Sequence, residues 1–267
     1  MNIVNTANIN NAWRAAIRDI LDNGDTVSPR GKVTKEIQQR TITMDMRFPV
    51  LRVPARKLNY QFMAAEALWI LTGDNRVETI APYNKRIADF SDDGETFFGA
   101  YGPKVMSQID YVVRKLVEDK DTRQAGLTIW RENPGPTKDV PCTVAIFFNI
   151  RNGKLNANVF MRSSDVWLGI PYDVFNFSML AHMVCGIMAQ LHPEIPTVSP
   201  GKLYLTAASS HLYETNWDDA TACLEVPDEE QNPTPTALFR EPEILLKTLV
   251  SLRTSVPGAD VRWWEVE

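Results

Sequence analysis

Residues 161–177 read MRSSDVWLGIPYDVFNF. Arg162, Ser163, Ser164 and Asp165 stand side by side, Gly169-Ile170-Pro171 turns the chain, and Asp173 opens a long apolar run that continues to Leu191. The segment just before, KLNANVFM (154–161), has the make-up of a strand. The whole reads as strand, polar junction, helix, which is a unit of a mixed α/β fold. Asp173 has two readings at this point. It is the N-cap of the coming helix, a place aspartate favours, or it is a carboxyl that meets a ligand.

Working outward, TVAIFFNI (143–150) is joined to KLNANVFM by Arg151-Asn152-Gly153, and Asn-Gly is the strongest short hairpin signal. Residues 9–22 set Trp13, Ile17, Ile20 and Leu21 on one helical face, with Gly24 as the stop. Residues 26–35 form a polar loop that contains Arg30, and residues 36–53 suggest strands. LNYQFMAAEALWILT (58–72) predicts a helix apolar nearly all round. Residues 82–102 are irregular, and residues 104–118 predict one amphipathic helix with Val105, Ile109, Val112 and Leu116 in register. Short strands are expected at 125–130 and 203–207, helices at 174–191 and 242–253, and a surface loop at 228–235. With no repeat and no linker, the expected organisation is one mixed α/β domain over residues 1–267.

The 267 residues are 44% hydrophobic, enough for one large core, and carry a net charge of −5. That balance argues against a polymeric nucleic acid as partner and leaves room for a small nucleotide. Three cysteines, Cys142, Cys185 and Cys223, leave at least one unpaired and form no CxxC, so no disulfide framework and a reducing compartment are expected. No apolar run reaches the roughly 18 residues of a membrane span, and no signal-like start is present, so a cytoplasmic protein with no membrane partner is expected. Three histidines without HExxH or clustered Cys/His spacing predict no metal site. No GxGxxG or GxxxxGK[ST] is present, so dinucleotide and triphosphate cradles are not indicated.

The residues that could carry chemistry each have a plain reading as well. Cys142, in DVPCTV, is a small buried hydrophobe or a nucleophile that needs a positive neighbour. Glu66 lies on an exposed turn of its helix, or it is a desolvated carboxyl able to move protons near neutrality. Arg162 with Ser163 suits a phosphate or a surface salt bridge, and the loop arginines Arg30 and Arg123 invite the same two readings. His211 and Tyr213, in SSHLYE, bind hydroxyl groups of a ligand or serve structural hydrogen bonds.

Taken together, AAEALWILTGD, DTRQ, VPCT, RSSDVWLGIPYD and SSHLY resemble thymidylate synthase and its relatives, the pyrimidine-nucleotide hydroxymethylases, from about residue 9 to 216. The resemblance implies a large twisted mixed β-sheet flanked by helices, and a homodimer joined through sheet faces. It implies Cys142 as the nucleophile at C6 of a pyrimidine nucleotide and Glu66 in proton transfer through water. It implies Arg30, Arg162 and Ser163 at the phosphate, and Arg123 reaching the phosphate of the partner's site. Gln124 stands where the family has a second arginine. His211 and Tyr213 match the residues at the sugar hydroxyl. Asp165 and Gly169 match positions beside the base and the folate, 5,10-methylenetetrahydrofolate being the co-substrate.

Three departures set the branch. Asp173 stands where the synthases have an asparagine that pairs with uracil. A carboxylate there can accept from the amino group of cytosine. Thr143 replaces a common histidine after the cysteine. Ala88 replaces a tryptophan that packs on the folate, which opens a way for water. The tail VRWWEVE does not resemble the synthase tail. These departures resemble deoxycytidylate hydroxymethylase, so the expected reaction gives 5-hydroxymethyl-dCMP, with dUMP or CMP chemistry and a non-catalytic nucleotide-binding homologue as alternatives. A phage source is expected by analogy.

Overall fold

The computed structural model describes residues 2–5, 8–225 and 239–254. In chain order the elements are β1 (Asn2–Asn5), α1 (Ile9–Asn23), β2 (Asp25–Val27), β3 (Thr34–Asp45), α2 (Tyr60–Leu71), α3 (Val77–Ile80), α4 (Tyr101–Met106), α5 (Ile109–Glu118), β4 (Gly126–Thr128), β5 (Thr143–Arg151), β6 (Lys154–Asp165), α6 (Ile170–Leu191), β7 (Ser199–Tyr213), α7 (Trp217–Glu225) and α8 (Pro242–Thr254). The strands form one mixed sheet in the order β1-β3-β7-β6-β5-β4, with β2 also paired to β3. β6 and β7 run parallel, which requires the crossover that α6 supplies. β3–β7, β5–β6 and β4–β5 are antiparallel.

Local chemistry explains most boundaries. Asn8 caps α1 by accepting from Asn11 N at 3.1 Å, and Asn59 caps α2 by accepting from Phe62 N at 2.9 Å. The β5–β6 hairpin turns through Asn152 (φ 53°) and Gly153 (φ 71°), the left-handed pair that a two-residue turn demands. α1 and α6 pack on the sheet, and α2 lies between α6 and α8. That second layer is why α2 is apolar all round: Phe62, Met63, Ala64, Leu68 and Leu71 all find a covered side. Arg40, buried in β3, pairs with Asp19 of α1 and ties helix to sheet.

Several expectations are revised. The strand expected at 203–207 runs from 199 to 213, because the polar stretch ASSHLY extends the β6–β7 ladder. The single helix expected at 104–118 is two, α4 and α5, broken at Ser107-Gln108. Strand structure in 36–53 stops at Asp45. α6 spans 22 residues and, contrary to expectation, is long and apolar enough to cross a membrane; 78% of its apolar window is buried, as in the core helix of a folded domain. The loop expected at 228–235 and the tail VRWWEVE lie outside the described residues.

Candidate active site

The polar end of β6 is gathered with its neighbours by strand register. Ser163 faces Ser209 and Asp165 faces His211 across β6–β7, while His211 faces Glu36 and Tyr213 faces Thr34 across β7–β3. Ser163 Oγ lies 3.5 Å from His211 Nδ1, and the His211 ring meets Tyr213 edge-on at 5.2 Å. Arg30 sits on the turn Pro29–Gly31 leading into Thr34, hence at the Tyr213 end of β3. It is exposed and holds φ 54°, a left-handed conformation uncommon for a residue with a Cβ.

Cys142 ends the loop that enters β5, and its carbonyl accepts from Arg162 N at 2.9 Å. The Arg162 guanidinium then folds over the loop. Nε donates to Pro141 O at 3.0 Å, Nη2 donates to Val140 O at 2.8 Å, and Nη2 lies 3.7 Å from Cys142 Sγ. The surface salt bridge is thereby set aside, and Nη1 keeps no protein partner among the described residues. Burial pushes the Cys142 thiol up, Arg162 draws it back, and the charges of Asp173, Asp139 and Asp165 add to the rise. The resting sulfur is a thiol whose ionisation depends on Arg162.

Beside this loop lies a cavity of about 170 Å³. Its polar wall is Glu66, Tyr101, Asp139, Asp173 and Asn176; its apolar wall includes Trp69, Ile87, Phe90 and Phe97. Glu66 is pushed up to about 7 by burial, with a hydrogen bond from Asn176 acting the other way. Asp173 is raised well above the usual carboxylate range by burial first, then by the charges of Glu66 and Asp165.

Asp173 is not the helix cap. Gly169 occupies that place, and Asp173 N already donates to Gly169 O at 2.9 Å within the first turn of α6. Pro171, near the helix start, moves the beginning of α6 three residues ahead of Asp173. A Cβ on Gly169 would come 3.1 Å from Asp173 Oδ2 and 3.0 Å from Asp165 O, so glycine lets the junction fold against both. Asp165 shapes that junction: its Oδ1 accepts from Trp167 N at 2.8 Å and Leu168 N at 2.9 Å. Burial nevertheless raises its carboxyl.

Tyr101 and Asp139, both in the polar wall of the cavity, are not singled out by the sequence. Tyr101 opens α4, and its hydroxyl accepts from Thr143 N at 3.2 Å and lies 3.0 Å from Thr143 Oγ1, so Thr143 meets a phenol in the position after Cys142. Burial, then the charges of Asp173 and Cys142, hold that phenol in its neutral form. Asp139 stands three residues before Cys142. Their signals, a lone tyrosine in GAYGP and an acid in KDVPC, are too common to stand out alone. Ala88 packs half-buried against the core, while its neighbours Ile87 and Phe90 line the cavity. Arg123 is exposed on the loop after α5, with no hydrogen bond or ion pair to its side chain among the described residues. A larger cleft of about 450 Å³ at the far end of α6, beside Met188, Pro193 and Arg240, has none of these groups in its lining.

The family profile described as thymidylate synthase matches residues 11–247. The chain belongs to the thymidylate synthase family. Its sheet and helices are the thymidylate synthase fold, and all the motifs above fall within the matched span. The chain is 32% identical over 219 residues to the deoxyuridylate hydroxymethyltransferase of Bacillus phage SP01, an overlap of 73% of this chain and 54% of that protein. It therefore spans about half the length of this relative.

Proposed function

We propose that the chain catalyses folate-dependent hydroxymethylation of a pyrimidine deoxynucleotide at C5, with dCMP as substrate and 5-hydroxymethyl-dCMP as product. The observation that carries this reading is the Asp173 carboxyl, set in one cavity with Glu66 and felt by the Cys142 thiol. Cytosine offers an acceptor at N3 and an amino donor beside it. A neutral Asp173 donates to N3 and accepts from the amino group. An ionised Asp173 accepts from the amino group and from a protonated N3. Uracil is served by the neutral form alone, which must donate to O4 and accept from N3–H. Cytosine is matched in both charge states.

The remaining residues fall into place around that edge. Cys142, ionised beside Arg162, adds to C6 and turns C5 into a nucleophile. Arg162 Nη1, Ser163 and Arg30 are the donors for the 5′-phosphate. His211 and Tyr213 stand for the sugar hydroxyl. Glu66, near neutrality, takes and returns protons at the base. The co-substrate 5,10-methylenetetrahydrofolate supplies the one-carbon unit. The ring of Phe90 is 55% exposed and continues into Ile87, Trp69 and Phe97, a wall that suits the face of a flat heterocycle. Free nucleotides and reduced folates place the reaction in the cytoplasm.

A second reading, hydroxymethylation of dUMP, draws support from the name of the phage SP01 relative and from the burial that favours neutral Asp173. Incubation with dCMP or dUMP and methylenetetrahydrofolate, with products identified by mass, separates the two. Turnover of dUMP alone would remove the cytosine assignment. A methyl product with dihydrofolate would remove the hydroxymethyl one.

The reading includes a homodimer through the open sheet face. Phe147 and Phe160 form an edge-on pair at 6.3 Å there and are 41% and 45% exposed, an unusual state for two neighbouring phenylalanines. A second copy would cover them and lend Arg123 to its neighbour's phosphate site. Sedimentation should give twice the chain mass; a monomer at working concentration would contradict this.

A further inference from the structure

Hydroxymethylation ends with a step that none of the residues above serves. Once the one-carbon unit is on the base, C5 carries an exocyclic methylene while Cys142 is still bonded to C6, and the product requires water at that methylene. We infer that Asp139 holds this water and takes its proton, which rests on the hydroxymethylase reading.

Asp139 lines the same cavity as Glu66 and Asp173. Three carboxylates bear on the Cys142 thiol: Asp173, Asp139 and Asp165. Asp173 faces the base edge in the reading above, and Asp165 spends Oδ1 on the N–H groups of Trp167 and Leu168. Glu66 is engaged by Asn176. Asp139 Oδ2 accepts from Gly99 N at 2.7 Å, while Oδ1 has no hydrogen-bond partner among the described residues. C5 is bonded to C6, so a carboxyl near the sulfur is near the C5 substituent.

The carboxyl is held in place rather than left on a loose loop. Asp92 accepts from Thr137 Oγ1 and from Lys138 N (3.0 Å), and Asp139 N donates to Thr137 Oγ1 at 3.0 Å. A Cβ on Gly99 would lie 2.3 Å from Asp139 O and 3.0 Å from Oδ1, so only glycine allows this approach. Burial, opposed by the Gly99 hydrogen bond and aided by the charge of Asp92, raises Asp139 above an ordinary aspartate and makes it a stronger base.

The step balances without oxidant or reductant. The water oxygen forms the C–O bond at the methylene carbon. The methylene π pair moves into the ring as C5=C6. The C6–S bond breaks, and its electron pair leaves with Cys142 as thiolate beside Arg162. The water proton passes to Asp139.

Asp139→Asn keeps an oxygen for Gly99 N–H and removes the base. Wild type and variant are given dCMP and methylenetetrahydrofolate with 2-mercaptoethanol as a competing nucleophile, and products are separated by mass. Hydroxymethyl formation in the variant should fall by about 100-fold, with the thioether adduct at the methylene taking a larger share. Calorimetric affinity for dCMP, measured without folate, should be unchanged. An unaltered ratio of hydroxymethyl to thioether product would overturn the inference, as would a loss of dCMP affinity that accounts for the whole effect. A wild-type protein that forms no hydroxymethyl nucleotide overturns the hydroxymethylase reading and the inference with it, so the wild-type sample tells the two failures apart.

Discussion

Asn176 donates from Nδ2 to Glu66 Oε2 at 2.7 Å, joining α6 to α2 across the site cavity. The same amide leaves its Oδ1 buried without a partner among the described residues. The hydrogen bond favours the charged form of a carboxyl whose burial favours the neutral one, at the expense of an unsatisfied carbonyl on the other side.

Replacing Asn176 by alanine removes the contact that favours ionised Glu66. The Glu66 carboxyl, now at about 7, should move higher. The acidic limb of the kcat/KM profile for dCMP should shift up by about one pH unit. A limb that stays where it was would mean that Glu66 is not the group being titrated.

Glu66 also sets a pH dependence of stability. Its folded value of about 7 exceeds the ordinary value of 4.5, so the folded state binds the proton more tightly. The associated stability is fully present below 4.5 and is lost as the pH rises through 7. Glu66→Gln removes that loss, and its gain over wild type should be about 2 kcal/mol greater at pH 8 than at pH 5. Denaturant unfolding at the two pH values reads it directly. An equal gain at both would contradict the buried, proton-hungry carboxyl.

Arg162→Lys keeps the charge and loses the fork that grips Val140 O and Pro141 O beside the sulfur. The Cys142 thiol should ionise at higher pH, and alkylation by iodoacetamide at pH 7 should slow by about tenfold. An unchanged rate would show that the guanidinium geometry does not govern the thiolate.

Legibility in the sequence follows how local each signal is. The Asn152-Gly153 turn was readable because only its own two residues need left-handed angles. Glu66 was readable as a desolvated acid because its helix offers almost no polar face. Cys142, Arg162 and Asp173 came from motif resemblance, and the structure gathers them. Asp173 kept a cap reading beside its ligand reading because aspartate at a helix start fits both, and the start at Gly169-Ile170 with Pro171 in the first turn removes the cap. α4 and α5 read as one helix because Val105, Ile109, Val112 and Leu116 are buried on either side of the break, which keeps the apolar period intact. Tyr101 and Asp139 were invisible because their place depends on contacts between segments distant in sequence, through Thr143 and Gly99.

His182 offers a test away from the site. It lies buried in α6 against Phe239, and neither ring nitrogen has a hydrogen-bond partner among the described residues. Burial lowers it to about 4 from 6.5, so stability is intact above 6.5 and is lost as the pH falls toward 4. His182→Leu removes the two unpaired nitrogens and should raise the melting temperature, with a gain that grows from pH 7 to pH 5. A lower melting temperature at both would point to a polar role for the ring.

The most direct measurement is the ratio of kcat/KM for dCMP over dUMP, with products identified by mass, in wild type and in Asp173→Asn. The wild type should prefer dCMP and release 5-hydroxymethyl-dCMP. The variant should swing toward dUMP by a factor of about 10 to 100, the worth of one mismatched buried polar edge. A wild type that turns over dUMP alone, or a ratio that Asp173→Asn leaves untouched, would contradict the assignment of this carboxyl to the cytosine edge.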